Sequence, residues 1–352
     1  MQELTTAEIK NSYDIVIVGA GPSGCFTARN LSSKYDVLVL DRAEFPRTKP
    51  CGGMLVEETR RIIEKLDPPA FIFTTPKELD LRYVDWDNHE VVETKRKFLN
   101  VSRERFDAWM FDLMRQSHVD FISETRLLDF RKEKEGLEIT VKGDEKKTVR
   151  AKFLVGADGP TAFVRRKLNP FLGLSQYLAI QERAEVERQD QYASFILDNS
   201  ITDFYSWIIP KRSSTIVGSA IGIQNAEKKF EMFKKKVREK TGIETAKRVE
   251  ASLILRPRHE SEILLGREDT LLVGESAGLI SPSTGEGISF ALRSGLNAAT
   301  VLNESFENPY PKYCALCKPL IDEIKEKLEK ARMLSSPALR KKYLSTLVGG
   351  GK

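Results

Sequence analysis

The chain has 352 residues, 41% hydrophobic and 30% charged, with 56 Lys and Arg against 51 Asp and Glu for a formal charge of +5. That length supports one large α/β unit or two to three smaller ones, and the charge excess falls far short of what a nucleic-acid-binding domain concentrates on one face. No apolar run approaches the roughly 20 residues of a membrane-spanning helix, the polar start MQELTTAEIKNSYD lacks the regions of a signal peptide, and four scattered cysteines make no disulfide framework; the expectation is a cytoplasmic protein with reduced thiols that meets small molecules or a membrane surface.

Residues 13–18 (YDIVIV) read as a strand buried on both faces, because IVIV is continuously apolar and β-branched instead of alternating. Gly19, Gly21 and Gly24 follow as G-x-G-x-x-G, and residues 22–33 have helix spacing. In such a unit Gly19 permits the tight turn, Gly21 lets a pyrophosphate approach the backbone, and Gly24 lets helix and strand pack closely. The phosphates then sit at the helix N-terminus, on free N–H groups and the positive dipole end. The next strand, DVLVLD, ends at Asp41, where a carboxylate can accept both hydroxyls of an adenosine ribose. The glycine spacing is weak on its own; strand, helix, second strand and acid together predict a dinucleotide site.

Further along, residues 77–101 (LDLRYVDW, HEVVETKRKFLNV), 119–156 and 176–222 (YLAIQERAEV, ASFILD, STIVGSAIG) carry β-like runs. They predict a mostly antiparallel sheet inserted into a nucleotide-binding unit whose outer segments alternate strands with helices, as a parallel doubly wound sheet requires. In VSRERFDAWM (101–110) Arg103 lies four residues before Asp107 at a predicted helix start, which Ser102 would cap with Arg105 in solvent. FLVGADG (153–159) and TLLVGESAG (270–278) are two more buried strands, the second followed by LISPSTGEGI. Tyr205 and Trp207, in FYSWIIPK (204–211), stand at i, i+2 and share one strand face; inward they line an apolar tunnel, otherwise they pack the sheet. AEKKFEMFKKKVREK (226–240) puts Phe230, Phe233 and Val237 on one helical face among basic residues, a surface for anionic lipid or a face packed on the protein's own sheet. After Pro309 the chain is helical, and Cys314-x-x-Cys317, without a second pair or a nearby histidine, gives no reason to expect a metal.

The set G-x-G-x-x-G, G-A-D-G and G-E-S-A-G, in this order and spacing over nearly the whole chain, resembles the flavoprotein group that includes aromatic hydroxylases, geranylgeranyl reductases and flavin-dependent halogenases. The resemblance implies that the first motif binds the ADP half of FAD, that Asp158 belongs to the D-G motif, and that Gly274 and Glu275 stand in the G-D motif that holds the ribityl chain. Here glutamate replaces the family's aspartate. It also implies that Pro282, Gly285, Gly287 and Ile288 form the loop and helix start beside the isoalloxazine, where glycine N–H groups stabilise negative charge on reduced flavin. Arg103 would contact the cofactor from the far side of the ADP pocket, and Pro22, Ser23 and Arg42 complete the expected FAD shell. No second G-x-G-x-x-G occurs between 159 and 352, which leaves the electron donor open between NAD(P)H and a reduced electron carrier.

Within that group, KPCGG (49–53) and YSWIIPK (205–211) resemble the geranylgeranyl reductases, with a K-P-C-G-G loop whose cysteine lies near the flavin and a Y-x-W-x-F-P-K segment in the substrate domain. Cys51, Gly52 and Gly53 form the loop, and Ile209 replaces the second segment's aromatic; the first tryptophan of the related halogenase signature W-x-W-x-I-P is here Tyr205. Hydride delivery to an isolated alkene requires a proton on the other carbon, hence an acid held in a dry, elongated pocket. Cys51 is that donor, helps to position it, or is a small cysteine packed on the ring.

The resemblance thus implies an α/β fold: a Rossmann-like FAD-binding domain with a parallel sheet (1–75, 98–168 and 258–304), an inserted, mostly antiparallel substrate domain (76–97 and 169–257), and a short helical C-terminus (305–352). It implies reduction of carbon–carbon double bonds in an isoprenoid, geranylgeranyl-like or other apolar or lipid substrate, with Cys51, Tyr205 and Trp207 at the reacting end. The other reading is an NAD(P)H-dependent FAD monooxygenase acting on an aromatic or apolar small molecule. No nucleic-acid partner is expected, and the sequence does not indicate an oligomeric state.

Overall fold

The computed structural model describes residues 4–349 apart from 48, 174, 189 and 246–248. Its first half comprises β1 (Ser12–Val18), α1 (Pro22–Arg29), β2 (Val37–Leu40), β3 (Met54–Leu55), α2 (Glu57–Ile63), β4 (Phe73–Asp85), β5 (Glu90–Val101), α3 (Arg103–Arg115), β6 (Asp120–Ile122), β7 (Arg126–Glu133), β8 (Gly136–Lys142), β9 (Lys146–Gly156) and α4 (Phe163–Leu168). There follow β10 (Gln176–Ala184), β11 (Tyr192–Leu197), β12 (Ser206–Lys211), β13 (Ser214–Gly222), α5 (Ala226–Thr241), β14 (Glu250–Leu255), β15 (Gly266–Arg267), β16 (Thr270–Leu272), α6 (Ile288–Glu304), α7 (Pro309–Ser335) and α8 (Pro337–Gly349).

Unbroken runs such as IVIV and VLVL suit strands covered on both faces, and they build the centre of the first sheet, ordered β15-β16-β9-β1-β2-β6 with β16, β9, β1, β2 and β6 mutually parallel. Ile15, Ile17, Leu38 and Leu154 share one core with Phe106 of α3, Phe290 of α6 and Tyr313 of α7. The register pairs Val18 with both Leu40 and Gly156, and Gly156 with Leu272, so four strands end along one edge. The first strand starts at Ser12 and the first helix stops at Arg29 rather than at residue 33, because the Asn30 N–H bonds back to Thr27 and closes the last turn.

Residues 119–156 depart from the expectation of an inserted antiparallel sheet. β6 pairs in parallel with β2, and β7, β8 and β9 form an antiparallel meander within the first sheet. The cause is the length of β9: its first half pairs with β8 and alternates exposed with buried residues, whereas its second half is buried throughout and pairs with β1. One strand carries two patterns because it has two environments.

The second sheet runs β14-β10-β13-β12-β11-β4-β5-β3 and is antiparallel except where β11 meets β4. Helix α5 lays Phe230, Phe233 and Val237 against Ile180, Val217 and Ile221 of this sheet. Its apolar face is therefore internal, and the lipid-facing alternative for residues 226–240 lacks the surface it needs. Leu334 of α7 and Leu344 of α8 pack on Tyr83 and Phe195 from the sheet's other end. Among the described residues no helix is long and apolar enough to cross a membrane.

Candidate active site

Because four parallel strands end together, the turns that follow them converge, and in open α/β sheets that edge is where ligands bind. The turns after β1, β2, β9 and β16 contribute Gly19 and Gly21, Asp41, Asp158, and Glu275 to one cavity of about 730 Å³. The cavity continues between the sheets to an aromatic end at Phe204, Tyr205 and Trp207. Pro22, Ser23, Arg42, Cys51, Gly52, Gly53, Arg103, Gly285, Gly287 and Ile288 also line it.

Three residues expected in the shell do not line the cavity. Gly24 lies behind the first turn, where a Cβ would drive into the Gly19 carbonyl. Gly274, at φ +61°, packs against Ser23 and donates its N–H to Ser294 Oγ at 2.9 Å. Pro282 turns its carbonyl to Arg256 Nε, also 2.9 Å away. All three shape the backbone under the site instead of facing into it.

At the glycine end, α1 begins with Pro22 at its first position and no side chain caps it, so the N–H groups of its first turn remain available to an anion. Asp41 is fixed at the tip of β2, accepting from the Ala20 N–H at 2.8 Å through Oδ2 and from the Ala43 N–H at 2.9 Å through Oδ1. Arg47 reaches over the turn: a Cβ on Gly21 would lie 3.0 Å from its Nη2. Among the described residues, Arg47 Nε and Asp158 Oδ1 are buried without a hydrogen-bond partner. Asp158 Oδ2 accepts from the Val164 N–H at 3.0 Å, and burial pushes its carboxyl up to about 6. An uncapped helix start, an anchored acid, and an orphaned cation and carboxylate oxygen on one wall fit a dinucleotide that presents both phosphates and hydrogen-bonding groups.

The middle of the cavity is built by the loop around Cys51. Burial pushes this thiol up, but the Arg103 guanidinium, the Gly53 N–H at 3.5 Å and Lys49 together hold it below the ordinary thiol range. Arg103 is itself clamped by Asp107 through two hydrogen bonds, Nε to Oδ1 at 3.0 Å and Nη2 to Oδ2 at 2.9 Å. Ser102 caps α3 as its position predicts, while Arg103, one residue on, turns into the cavity. The glutamate in place of the family's aspartate uses its added reach: Glu275 Oε1 accepts from the Leu255 N–H at 2.9 Å and Oε2 pairs with Lys49 Nζ at 3.2 Å. This ties the Cys51 loop to the loop after β16.

At the aromatic end, Tyr205 stacks on Phe195 with centroids 4.3 Å apart and stands 5.8 Å from the Trp207 ring. Both rings face the cavity, and the Tyr205 hydroxyl donates to the Thr284 carbonyl at 2.5 Å, joining the second sheet to the loop before α6. Ile209, where the reductase-like pattern has an aromatic, touches the Cys51 loop: a Cβ on Gly52 would lie 2.7 Å from its Cδ1. Sequence reasoning missed Arg47, Lys49 and the buried Lys211–Asn100 pair. The basic run before Cys51 and the lysine that ends YSWIIPK were the available signals, but nothing local shows which way they face.

The family model described as FAD binding domain matches residues 12–308. The protein CbrA of Shigella sonnei (strain Ss046) is 32% identical over 337 residues, 94% of this chain and 95% of that one. Among solved structures, a geranylgeranyl bacteriochlorophyll reductase-like protein from Thermoplasma acidophilum superposes with a TM-score of 0.81 at 21% identity, covering 94% of this chain and 90% of that one. The p-nitrophenol 4-monooxygenase of Pseudomonas putida DLL-E4 gives 0.74 at 16% identity, covering 97% and 95%. These two likenesses speak to the fold, which reductases and monooxygenases share. The match across residues 12–308 and the cavity's glycine, Asp41 and Asp158 walls agree, and the chain belongs to the FAD binding domain family as an FAD-dependent oxidoreductase.

Proposed function

We propose that the protein reduces carbon–carbon double bonds in an apolar, isoprenoid-like substrate. The observation that carries this reading is the setting of Cys51: a thiol held by Arg103 lines the same cavity as the glycine turns and as Met54, Phe98, Phe195, Tyr205 and Trp207. Reduced FAD, when bound, would supply the hydride. The uncapped start of α1, Asp41 and Asp158 hold the cofactor, and Glu275, Gly285 and Gly287 face it from the loops after β16. The aromatic wall binds the hydrocarbon and excludes water, so that a proton delivered there is not exchanged away. Cys51 gives its S–H proton to the alkene carbon that does not receive hydride, and Arg103 stabilises the thiolate left behind. The first sheet with α1, α3 and α6 then serves as the cofactor half, and the second sheet as the substrate half.

The test is to reduce the purified holoprotein chemically in the absence of oxygen, add a prenyl alcohol, and follow flavin absorbance and product mass together. Reoxidation without oxygen, with a product that has gained two hydrogens, is expected. No anaerobic reoxidation, with oxygen-dependent insertion of an oxygen atom into an aromatic or apolar compound, overturns the reading in favour of a monooxygenase.

A further inference from the structure

We propose that Lys211 is a positioning residue for Cys51: its ammonium, buried behind the Cys51–Gly53 turn, buttresses that turn and favours the thiolate. The inference rests on Cys51 as the reacting thiol of the reading above. Lys211 ends β12, is 7% exposed, and donates to two neutral acceptors, Asn100 Oδ1 and, at 3.0 Å, the Val101 carbonyl. Asn100 is fully buried and is held in turn by donating to the Pro76 and Pro210 carbonyls at 2.9 and 3.0 Å. Among the described residues no carboxylate pairs with this ammonium, an arrangement that costs stability and that a merely structural position has no need of.

The buried cation is aimed at the Cys51 turn. Gly53 lies between the two groups: its N–H points to Cys51 Sγ at 3.5 Å, and a Cβ placed on it would meet Lys211 Nζ at 2.9 Å. The Gly53 carbonyl accepts from the Val101 N–H at 2.8 Å, so the strand end that anchors Lys211 also anchors the turn. Only a glycine fits there, at φ +64° with the Val101 carbonyl against it. The charged and titratable groups around the pair are Arg103 from α3, Lys49 from the loop itself, Tyr205 beside β12, and Arg183 from β10, which faces Lys211. Asp107 faces Arg103 and is fully engaged with it. Burial drives Lys211 down to about 7, while the neighbouring Cys51 pulls it up.

The experiment is the pH dependence of Cys51 alkylation by iodoacetamide in the purified holoprotein, read on the Cys51 peptide by mass spectrometry. The wild type is expected to inflect below the ordinary thiol range. Lys211→Met removes the charge and the hydrogen bonds; Lys211→Gln keeps a donor and removes only the charge; Lys211→Arg keeps the charge. Met and Gln are expected to move the inflection up by about one pH unit, an alkylation rate near neutrality about tenfold lower, and Arg to restore most of it. If Lys211→Met does not fold, Lys211→Gln decides. A Gln profile that coincides with the wild type overturns the proposal, as does a wild-type Cys51 that is unreactive or titrates as an ordinary thiol. No substrate is present, so failure here is separate from failure of the reductase reading, which the anaerobic assay judges.

Discussion

At the scale of single residues, the site keeps polar groups in a state they would not choose in water. Asp158 shows this most plainly: one oxygen is satisfied by Val164, the other is buried without a partner, and burial lifts its folded-state pKa from the ordinary 3.8 to about 6. A raised folded pKa means the native state binds the proton more tightly than the unfolded chain does. The resulting stability is present below pH 3.8 and is lost as pH rises through about 6. Asp158→Asn removes the ionisable group while keeping an acceptor for Val164. Cofactor-free Asp158→Asn is therefore expected to be more stable than the wild type at pH 8, by about 1–2 kcal/mol once partial exposure to the cavity is allowed for. Urea unfolding at pH 8 and pH 4 checks this, and a difference that does not shrink at pH 4 contradicts the assignment. This carboxylate was legible in the sequence because it follows its own strand directly. Arg47, whose Nε is likewise buried without a partner, was not: its place over Gly21 depends on a loop whose path the local pattern does not specify.

At the scale of elements, the strand–glycine–helix unit and the turns after β9 and β16 could be read because each places its chemistry within a few residues of an apolar run. What could not be read is which sheet a strand joins. β9 carries alternating and continuous halves, and residues 119–156 look antiparallel until β1 is seen to cover the second half. The face of β12 was legible from its i, i+2 aromatics, yet the reason Trp207 holds its orientation lies across the ladder. Gly218 is its direct partner on β13, and a Cβ there would run into the indole. Gly218→Ala is accordingly expected to displace Trp207, at a cost of about 1–3 kcal/mol for the overpacked contact. Because Trp207 lines the aromatic end and not the glycine end, FAD content should stay at the wild-type level while affinity for a prenyl alcohol falls. Flavin absorbance per chain and substrate titration separate the two effects, and a parallel loss of FAD would show that the arms of the cavity are not independent.

At the scale of the whole molecule, the two sheets meet over the cavity and the C-terminal helices brace the second sheet from behind. The brace has a buried ionic anchor: Arg340 of α8, 1% exposed, grips Asp85 at the end of β4 through Nε to Oδ2 at 2.7 Å and Nη2 to Oδ1 at 2.9 Å, and also pairs with Asp87. Its Nη1 also donates to Asn199 Oδ1 at 3.0 Å, after β11, so a single side chain holds the ends of two neighbouring strands. Those strands carry Tyr83 and Phe195, which pack with Leu334 and Leu344, and Phe195 is also the ring on which Tyr205 stacks at the cavity. Nothing in the sequence links residues 85 and 340, since the pairing exists only once both helices have folded back. Arg340→Met leaves Asp85 buried without its charge partner and is expected to cost about 3–5 kcal/mol, whereas adding Asp85→Asn should recover part of that loss because the unpaired charge is gone. Denaturant midpoints of the wild type, both single variants and the double variant close the cycle. If the brace also supports the aromatic wall, Arg340→Met raises the KM for an apolar substrate, with little change in FAD content, under conditions where the variant remains folded. Equal losses in the Arg340→Met single and the double variant would instead show that the cost comes from the lost packing and other hydrogen bonds of Arg340 and not from a stranded Asp85 charge.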